Sequence, residues 1–260
     1  MSRARAFFVV FLLAGLVALL LLPRRLADTD APFAASGVAV RTYSESGQPA
    51  WELHAQEGEL VGEDGALSHV EIRFLSSDEA ALTATADRLV QAEGESTLAG
   101  RVAVERNDGL RLRTEKLIWS EDEETLRADA ITLSHRDLYV EGGGFLYDLP
   151  SERAILSRGV LVEIDRQRPT TARGDRAEES NDVLVVEGNV RVETSEGTYR
   201  CERIEADDEF VRLVGNVEGK FDEGQLRADT AQMDAVGRVI ATGSVTLHLN
   251  LSTAEVPDGA

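Results

Sequence analysis

The sequence predicts an all-β protein built from two-strand repeats of roughly 28–30 residues, preceded by one N-terminal transmembrane helix. Three observations support this fold class: a fixed repeat period, an alternation of apolar and polar residues inside each repeat, and an apolar run at the N-terminus. A fixed period of this length is the signature of a repeat architecture.

The period is most legible in three segments, 183–192 (VLVVEGNVRV), 210–219 (FVRLVGNVEG) and 239–248 (VIATGSVTLH). An apolar residue just after the glycine motif recurs with spacings of 28, 27, 30, 29, 29 and 32 residues towards the N-terminus. Its positions are Val245, Val217, Val190, Val160, Ile131, Val102 and Val70.

Each repeat also has a first half, visible at 82–89, 110–117, 199–204 and 226–231. Apolar and polar residues alternate in both halves, which is typical of strands with one buried and one solvated face. Short acidic or glycine-bearing stretches at 120–124, 206–209 and 234–237 suit hairpin tips. Each repeat is therefore predicted to be two antiparallel strands.

Residues 6–22 are a continuous apolar run with two arginines before it and two after it. At 1.5 Å per residue the run spans about 26 Å, close to the hydrocarbon thickness of a bilayer. We therefore predict a membrane anchor over 1–25 and a linker over 26–36, with a cleaved signal peptide as the alternative. The first hairpin is expected to pair 38–43 with 51–55.

The charge of the chain excludes one class of partner. Four of its 27 lysines and arginines flank the apolar run, so the remainder has 47 acidic against 23 basic side chains. A net charge of about −24 repels nucleic acid, and no basic stripe interrupts it. We expect no nucleic-acid binding.

The side chains do not predict an enzyme, a metal site or a cofactor. The four histidines are dispersed along the chain, and none has a partner at metal-ligand spacing. Acidic runs fall at predicted hairpin tips, where solvated carboxylates are expected. The single cysteine, Cys201, is interpreted as a small residue in a strand.

The repeat rhythm is interrupted once, near residues 165–180. Residues 166–180 are read as a connection within one stack, with a hinge as the alternative. They separate a block at 37–165 from a second block at 181–251, which is followed by a tail at 252–260. Three glycines at 142–144 predict a bulge or a close approach of two backbones.

The opening segment 43–55 (YSESGQPAWELHA), the N-terminal apolar run and the later Glu-Gly-Asn-Val and Val-Gly-Asn-Val copies resemble a known group. They are similar to the periplasmic lipopolysaccharide-export proteins of the LptC and LptA (OstA-like) type. The first block resembles LptC, the membrane-tethered member, and the second block resembles the soluble OstA-like member. Seven repeats are more than expected of the tethered member alone. A fusion of the two members, or an extended bridge between the membranes, is therefore an alternative.

The resemblance implies an open β-jellyroll, in which two facing antiparallel sheets enclose an apolar groove. It also implies an inner-membrane protein with a single membrane span and a periplasmic β-domain. The implied partners are lipopolysaccharide or a similar glycolipid, an inner-membrane ABC-type export complex and another β-jellyroll protein. The last would dock by adding a strand to an exposed sheet edge.

Inward-facing apolar residues of the second half of each repeat are the candidate lipid-binding positions. They would hold acyl chains by burial, without any charge to desolvate. The candidates are Ile72, Val102, Val104, Leu133, Val160, Val162, Val190, Val192, Val217, Val245 and Leu247.

Two other functions fit the repeats. One is a structural or adhesive β-solenoid with a sealed core that binds nothing. The other is a polysaccharide-active β-helix, which the lack of a recurrent aromatic and carboxylate ladder disfavours.

Overall fold

The computed structural model describes an all-β chain, which confirms the predicted class. The described residues are 33–43, 49–61, 64–74, 82–92, 95–120, 122–148, 150–164, 170–180, 183–207, 210–222, 224–234 and 238–249. Within these ranges no helix has the length and apolarity needed to span a bilayer. The predicted anchor at 6–22 lies outside the described residues.

Seventeen strands form one hydrogen-bonded sheet in the described part of the chain. They are β1 (Phe33–Tyr43), β2 (Pro49–Val61), β3 (Asp64–Phe74), β4 (Leu82–Ala92), β5 (Glu95–Arg106), β6 (Arg111–Ser120), β7 (Thr125–His135), β8 (Leu138–Asp148), β9 (Arg153–Ile164), β10 (Thr170–Gly174), β11 (Arg176–Ser180), β12 (Val183–Thr194), β13 (Gly197–Ala206), β14 (Phe210–Phe221), β15 (Gly224–Asp234), β16 (Val239–Thr242) and β17 (Thr246–Leu249).

The sheet is an antiparallel meander in which strands pair with their neighbours along the chain. The first hairpin pairs Val38 with Ala55, as the sequence predicts. The segment 170–180, predicted as a connection, instead forms the short strands β10 and β11. Both pair with β9 on one side and with β12 on the other. The sheet therefore runs without a gap from the first block to the second.

Most long strands bend near their middle. The register slips by one residue there, for example between Ala99 and Val102 where β5 pairs with β6. In β5, β12 and β14 the bend contains two consecutive residues with positive φ, and in β12 these are Gly188 (φ 82°) and Asn189 (φ 48°). Glycine and asparagine adopt this left-handed backbone most readily, which explains the recurring Gly-Asn-Val segment. We call this line of bends the corner.

The sheet is folded on itself along the corner. Ile72, Leu98 and Leu126 are fully buried although the described residues include no helix that could cover the sheet. A single flat sheet would leave both of its faces in water, so the strand halves on the two sides of the corner must cover each other. The two facing layers predicted as separate sheets are thus two halves of one sheet, because each long strand contributes to both.

The glycines at 142–144 of β8 lie at a bulge and a close approach, but the extra residue of the bulge is on the facing strand β9, between Arg158 and Leu161. The register with β9 shifts between Glu141 and Gly143. A Cβ atom on Gly142 would lie 3.1 Å from Leu156 of the neighbouring strand. These glycines therefore let two strands pack more closely than side chains would allow.

Substitution of a corner glycine should lower the stability of the protein most where a side chain of the neighbouring strand lies against the glycine. Gly188 (φ 82°) and Gly159 (φ 56°) are both left-handed, but only at Gly188 would a Cβ meet a side-chain atom, 2.5 Å from Asp175 Oδ2. We expect Gly159→Ala to lower the free energy of unfolding by about 1 kcal/mol through backbone strain alone. Gly188→Ala should cost roughly 2–3 kcal/mol, because the carboxylate must also move. Urea unfolding of both variants measures the difference, and equal losses would show that the carboxylate contact is unimportant.

A candidate apolar groove between two walls

Nine of the eleven predicted lining residues lie on one inner surface, in the strand halves on one side of the corner. All nine are at most 6% exposed, with Ile72 and Val104 completely buried. They are Ile72, Val102, Val104, Leu133, Val160, Val162, Val190, Val192 and Val217. We call this surface the valine wall. The structure differs at Val245 and Leu247, which are 47% and 53% exposed at the C-terminal end of the sheet.

A second inner surface faces the valine wall, and its residues were not among the predicted lining positions. It belongs to the strand halves on the other side of the corner, and its side chains join the valine wall in one contiguous apolar cluster. We call it the leucine wall. Its larger members are Leu89, Leu98, Leu117, Trp119, Leu126, Phe145, Tyr147, Leu156, Val186, Ile204 and Leu213.

A sequence signal for the leucine wall exists. A large apolar residue stands two positions before three of the corner glycines, in Leu98-Ala99-Gly100, Val186-Glu187-Gly188 and Leu213-Val214-Gly215. In the intervening strands the bend shifts the alternation by one residue, so that Ala128 and Ile131 are both buried in β7. If the alternation of apolar and polar residues is followed through the bend without this shift, the residues of one half of the strand are predicted to face solvent when they in fact face the interior.

The two walls are in contact in this structure. Leu98, Leu117 and Leu126 have no exposed surface, so a water-sized sphere does not reach them. The buried polar residues of the described chain are Gln91, Ser96 and Ser120, and none of them is charged. The interior is thus apolar, and a bound hydrocarbon chain would need the walls to separate.

Carboxylates from the neighbouring strands close the corner from outside. Asn189 Nδ2 donates to Asp175 Oδ2 at 2.9 Å, and Asn216 Nδ2 donates to Glu202 Oε1 at 2.6 Å. At the corresponding place in β5, Arg101 donates to both oxygens of Asp87 at 2.6 and 3.1 Å. The hydrogen bond from Arg101 is the main reason that the pKa of Asp87 is lowered. Each contact joins a corner to the preceding strand.

A ladder of alternating charges crosses the outer face where the two blocks meet. Arg153 donates two hydrogen bonds to Glu178 at 2.6 and 2.7 Å, and Arg176 donates to the same carboxylate at 2.6 Å. The pairs continue across β12, β13 and β14 with separations of 3.0–3.8 Å. The ladder consists of Arg153, Glu178, Arg176, Glu187, Arg203, Glu205 and Arg212. It therefore connects five strands across the junction.

The C-terminal strands end the stack with an apolar edge. Ile240 is 65% exposed, and Leu249 is 53% exposed. Both belong to short strands that pair with β15 on one side. Exposed apolar side chains on an edge strand are the composition of a docking surface for another strand.

An open depression of about 660 Å³ lies over the corner of β5–β9. Its charged lining residues are of both signs: Arg101, Arg113, Glu115 and Glu141. Opposite charges at comparable numbers give it no preference for an anion or a cation. It is distinct in character from the apolar space between the walls.

The described residues do not form a metal or redox site. No group of three or more His, Cys, Asp or Glu among them is arranged to hold a metal ion. Cys201 is buried in β13, and burial raises the pKa of its thiol to about 11. It stays protonated at neutral pH and packs as a small apolar side chain.

These features define an all-β protein with a folded sheet and a charge-free apolar interior between two walls. A family model described as lipopolysaccharide-assembly, LptC-related matches residues 7–165, more than half of the chain, and the chain belongs to this family. Membership gives it a role in lipopolysaccharide transport and assembly, and proteins of this family are associated with the periplasm and the inner membrane. The family is not known as an enzyme. No curated protein matches the chain.

The charge ladder should make the free energy of unfolding depend on pH in the acidic range. The pKa of Glu178 is lowered, first by the hydrogen bond from Arg153 and further by Arg176. A carboxyl group with a lowered pKa in the folded state stabilises the protein above its unfolded pKa, and this contribution is lost as the pH falls through the folded pKa. We therefore expect Glu178→Gln to be less stable than the wild type at pH 7, with the difference shrinking below about pH 4.5.

Urea unfolding between pH 7 and pH 3 measures this effect. Glu163→Gln is the matched control, because Glu163 is an exposed carboxylate on β9 outside the ladder. A constant difference between Glu178→Gln and the wild type across the pH range would contradict the assignment.

Proposed function

We propose that the chain is a membrane-tethered periplasmic bridge component that binds the acyl chains of lipopolysaccharide between the valine and leucine walls. The folded sheet would act as an open β-jellyroll whose walls separate to admit hydrocarbon. The observation that carries the proposal is the interior itself, which is apolar on both walls and contains no charged side chain among the described residues.

The energetics suit transfer of a lipid. Burying a methylene group is worth about 0.8 kcal/mol, so several chains in the groove would be held strongly. The walls already bury their own side chains against each other, and lipid binding exchanges one apolar contact for another. The net gain is therefore smaller than the gross burial, which is compatible with release to the next protein.

The tether and the direction of transfer would come from outside the β-domain. The apolar run at 6–22 is long enough to cross a bilayer, and its length and apolarity support a single span. Membership in the family supports placing the β-domain in the periplasm. A uniform apolar wall gives no preferred direction. Direction would be imposed by an inner-membrane ABC-type export complex that delivers the lipid to the N-terminal end of the sheet.

A second candidate is the structural β-solenoid with a sealed core. The full burial of Leu98, Leu117 and Val104 favours it, because a sealed core needs no opening of the walls. The two candidates differ in one measurable respect, which is whether lipid reaches these side chains in the cell.

Photo-crosslinking tests the groove directly. Photoreactive residues at Val104, Val162 and Val192 of the valine wall, and at Leu98 and Leu126 of the leucine wall, should form adducts with lipopolysaccharide. Matched controls with exposed side chains stand next to the first three along the chain: Glu105, Glu163 and Arg191. Adducts at inward positions only are expected, whereas adducts at none of them would favour the sealed solenoid.

The C-terminal edge is the proposed docking surface for another β-jellyroll protein. Leu247 pairs with Leu226 of β15 and is 53% exposed, so a strand added beyond β17 would cover it. Substituting proline for Leu247 removes a backbone donor of β17 and fixes φ, which should weaken docking by about tenfold or more. Proline at Val245 should weaken docking by displacing β17, because the Val245 N–H donates to Gly243 O at 2.9 Å in the turn before this strand.

Crosslinking from Leu249 to the downstream protein measures the docking. The Val38→Pro variant at the opposite end of the sheet is the control and should leave this crosslink intact. Unchanged crosslinking in Leu247→Pro would refute the assignment of the edge.

A further inference from the structure

The leucine wall carries a row of polar side chains near the hairpin ends of β4–β8. The cross-strand register places Gln91 opposite Ser96, Ser96 opposite Trp119, Trp119 opposite Leu126 and Leu126 opposite Tyr147. We call Gln91, Ser96, Trp119 and Tyr147 the polar row. These residues share the inner face with Leu89, Leu98, Leu117 and Phe145, which stand two positions away on the same strands.

Three members of the polar row have polar atoms without a hydrogen-bond partner among the described residues. These atoms are Gln91 Oε1, Trp119 Nε1 and the Tyr147 hydroxyl. The exposed fractions of the three residues are 7%, 1% and 0%. Buried polar atoms in folded proteins are nearly always hydrogen-bonded, so three on one line of the sheet need an explanation.

Packing alone does not explain them. A phenylalanine in place of Tyr147 would fill nearly the same volume, without a hydroxyl group to desolvate. Burial is the largest cause that raises the pKa of Tyr147, followed by the charges of Glu152 and Glu179. The phenol therefore remains a neutral O–H donor at any physiological pH.

The polar atoms of the row determine which ligand groups could form hydrogen bonds with them. The indole N–H of Trp119 can only donate, the Tyr147 hydroxyl can donate, and Gln91 Oε1 accepts. Trp119 and Tyr147 lie on β6 and β8, two strand spacings apart, so their donors repeat at about 10 Å along the wall. A ligand that satisfies them carries carbonyl acceptors at intervals, together with an N–H or O–H group for Gln91.

The surrounding charges favour a neutral acceptor over a carboxylate. Glu95, Glu123 and Glu152 lie at the same hairpin ends, and Arg127 is engaged by the first two at 3.0 and 3.4 Å. A free fatty-acid carboxylate would be repelled at this rim. An ester or amide carbonyl carries no net charge, so these glutamates would not repel it.

We propose that the polar row is a subsite for the ester and amide linkages of an acylated lipid whose hydrocarbon chains lie between the walls. Trp119 and Tyr147 donate to linkage carbonyls, and Gln91 accepts from an amide N–H or a hydroxyl group. The inference rests on the proposed function, since the row is reached only when the walls separate around a lipid. It adds specificity for the linkage to an otherwise uniform apolar groove.

A matched pair of probes isolates the linkage. Dimyristoylglycerol has two ester carbonyls, and its ditetradecyl ether analogue has the same chain length and hydroxyl group without them. We expect the full-length wild type to bind the ester more tightly than the ether by roughly tenfold, since each hydrogen bond contributes severalfold. Competition against a fluorescent alkyl probe in detergent solution measures both affinities.

The informative variant is Tyr147→Phe, which removes one hydroxyl and leaves the ring. It should reduce the ester preference to about twofold while leaving the affinity for the ether unchanged. Its midpoint of thermal unfolding without lipid should stay equal or rise, because an unpartnered buried hydroxyl is lost. Trp119→Phe should reduce the preference in the same direction.

Tyr199→Phe is the control, because Tyr199 is a buried tyrosine on β13 outside the polar row. It should keep the wild-type preference.

Three outcomes would overturn the subsite. If both probes bind and Tyr147→Phe and Trp119→Phe keep the full ester preference, the subsite is overturned but the proposed apolar groove is not. If neither probe binds the wild type, the proposed function and the subsite are overturned together. A clearly lower thermal midpoint for Tyr147→Phe would show that the hydroxyl serves the fold.

Discussion

The structure depends on one constraint: a single sheet, with no helix packed on it in the described part of the chain, must cover its own apolar face. Burial of Ile72 or Leu98 is attainable only if each long strand turns back over the sheet. The bend has to occur at the same height in successive strands, or the two walls would not face each other. This requirement explains why the repeat is fixed in length and why a glycine recurs at one place in it. The period of the sequence is thus the spacing of bends along one continuous sheet.

The corner also explains part of the acidity of the chain. Asp87, Asp175, Glu202 and Asp229 each lie against a corner glycine of the next strand, within 3 Å of where a Cβ would stand. A side chain at the glycine would displace the carboxylate, and a missing carboxylate would leave the following donor without this partner. The glycine and the acid are therefore one unit, repeated along the fold. Other carboxylates alternate with arginines in the ladder at the junction, which ties β9 to the strands of the second block.

The period and alternation were sufficient to predict the strands, the first hairpin and the valine wall. Val102, Val160, Val190 and Val217 are buried because each follows a bend directly. The leucine wall was missed because the bend shifts the alternation by one residue in strands such as β7. The strands at 170–180 were missed because Ala172 and Ala177 are too small to give a hydrophobic signal. Val245 and Leu247 are exposed because they lie in the last part of the sheet, where the stack ends. None of these features follows from local propensity, since each depends on what lies across the fold.

A groove that is apolar throughout holds hydrocarbon firmly but gives it no fixed position, because sliding along the walls leaves the buried area unchanged. Hydrogen bonds have direction and distance, so a line of donors across β6 and β8 would hold a lipid at defined steps. The cost of leaving those donors buried without partners falls on the empty protein. An occupied groove removes that cost, which favours the loaded state without adding apolar surface. Within one sheet, the Leu and Val side chains would thus retain the lipid by burial, and the few polar side chains would fix its position by hydrogen bonds.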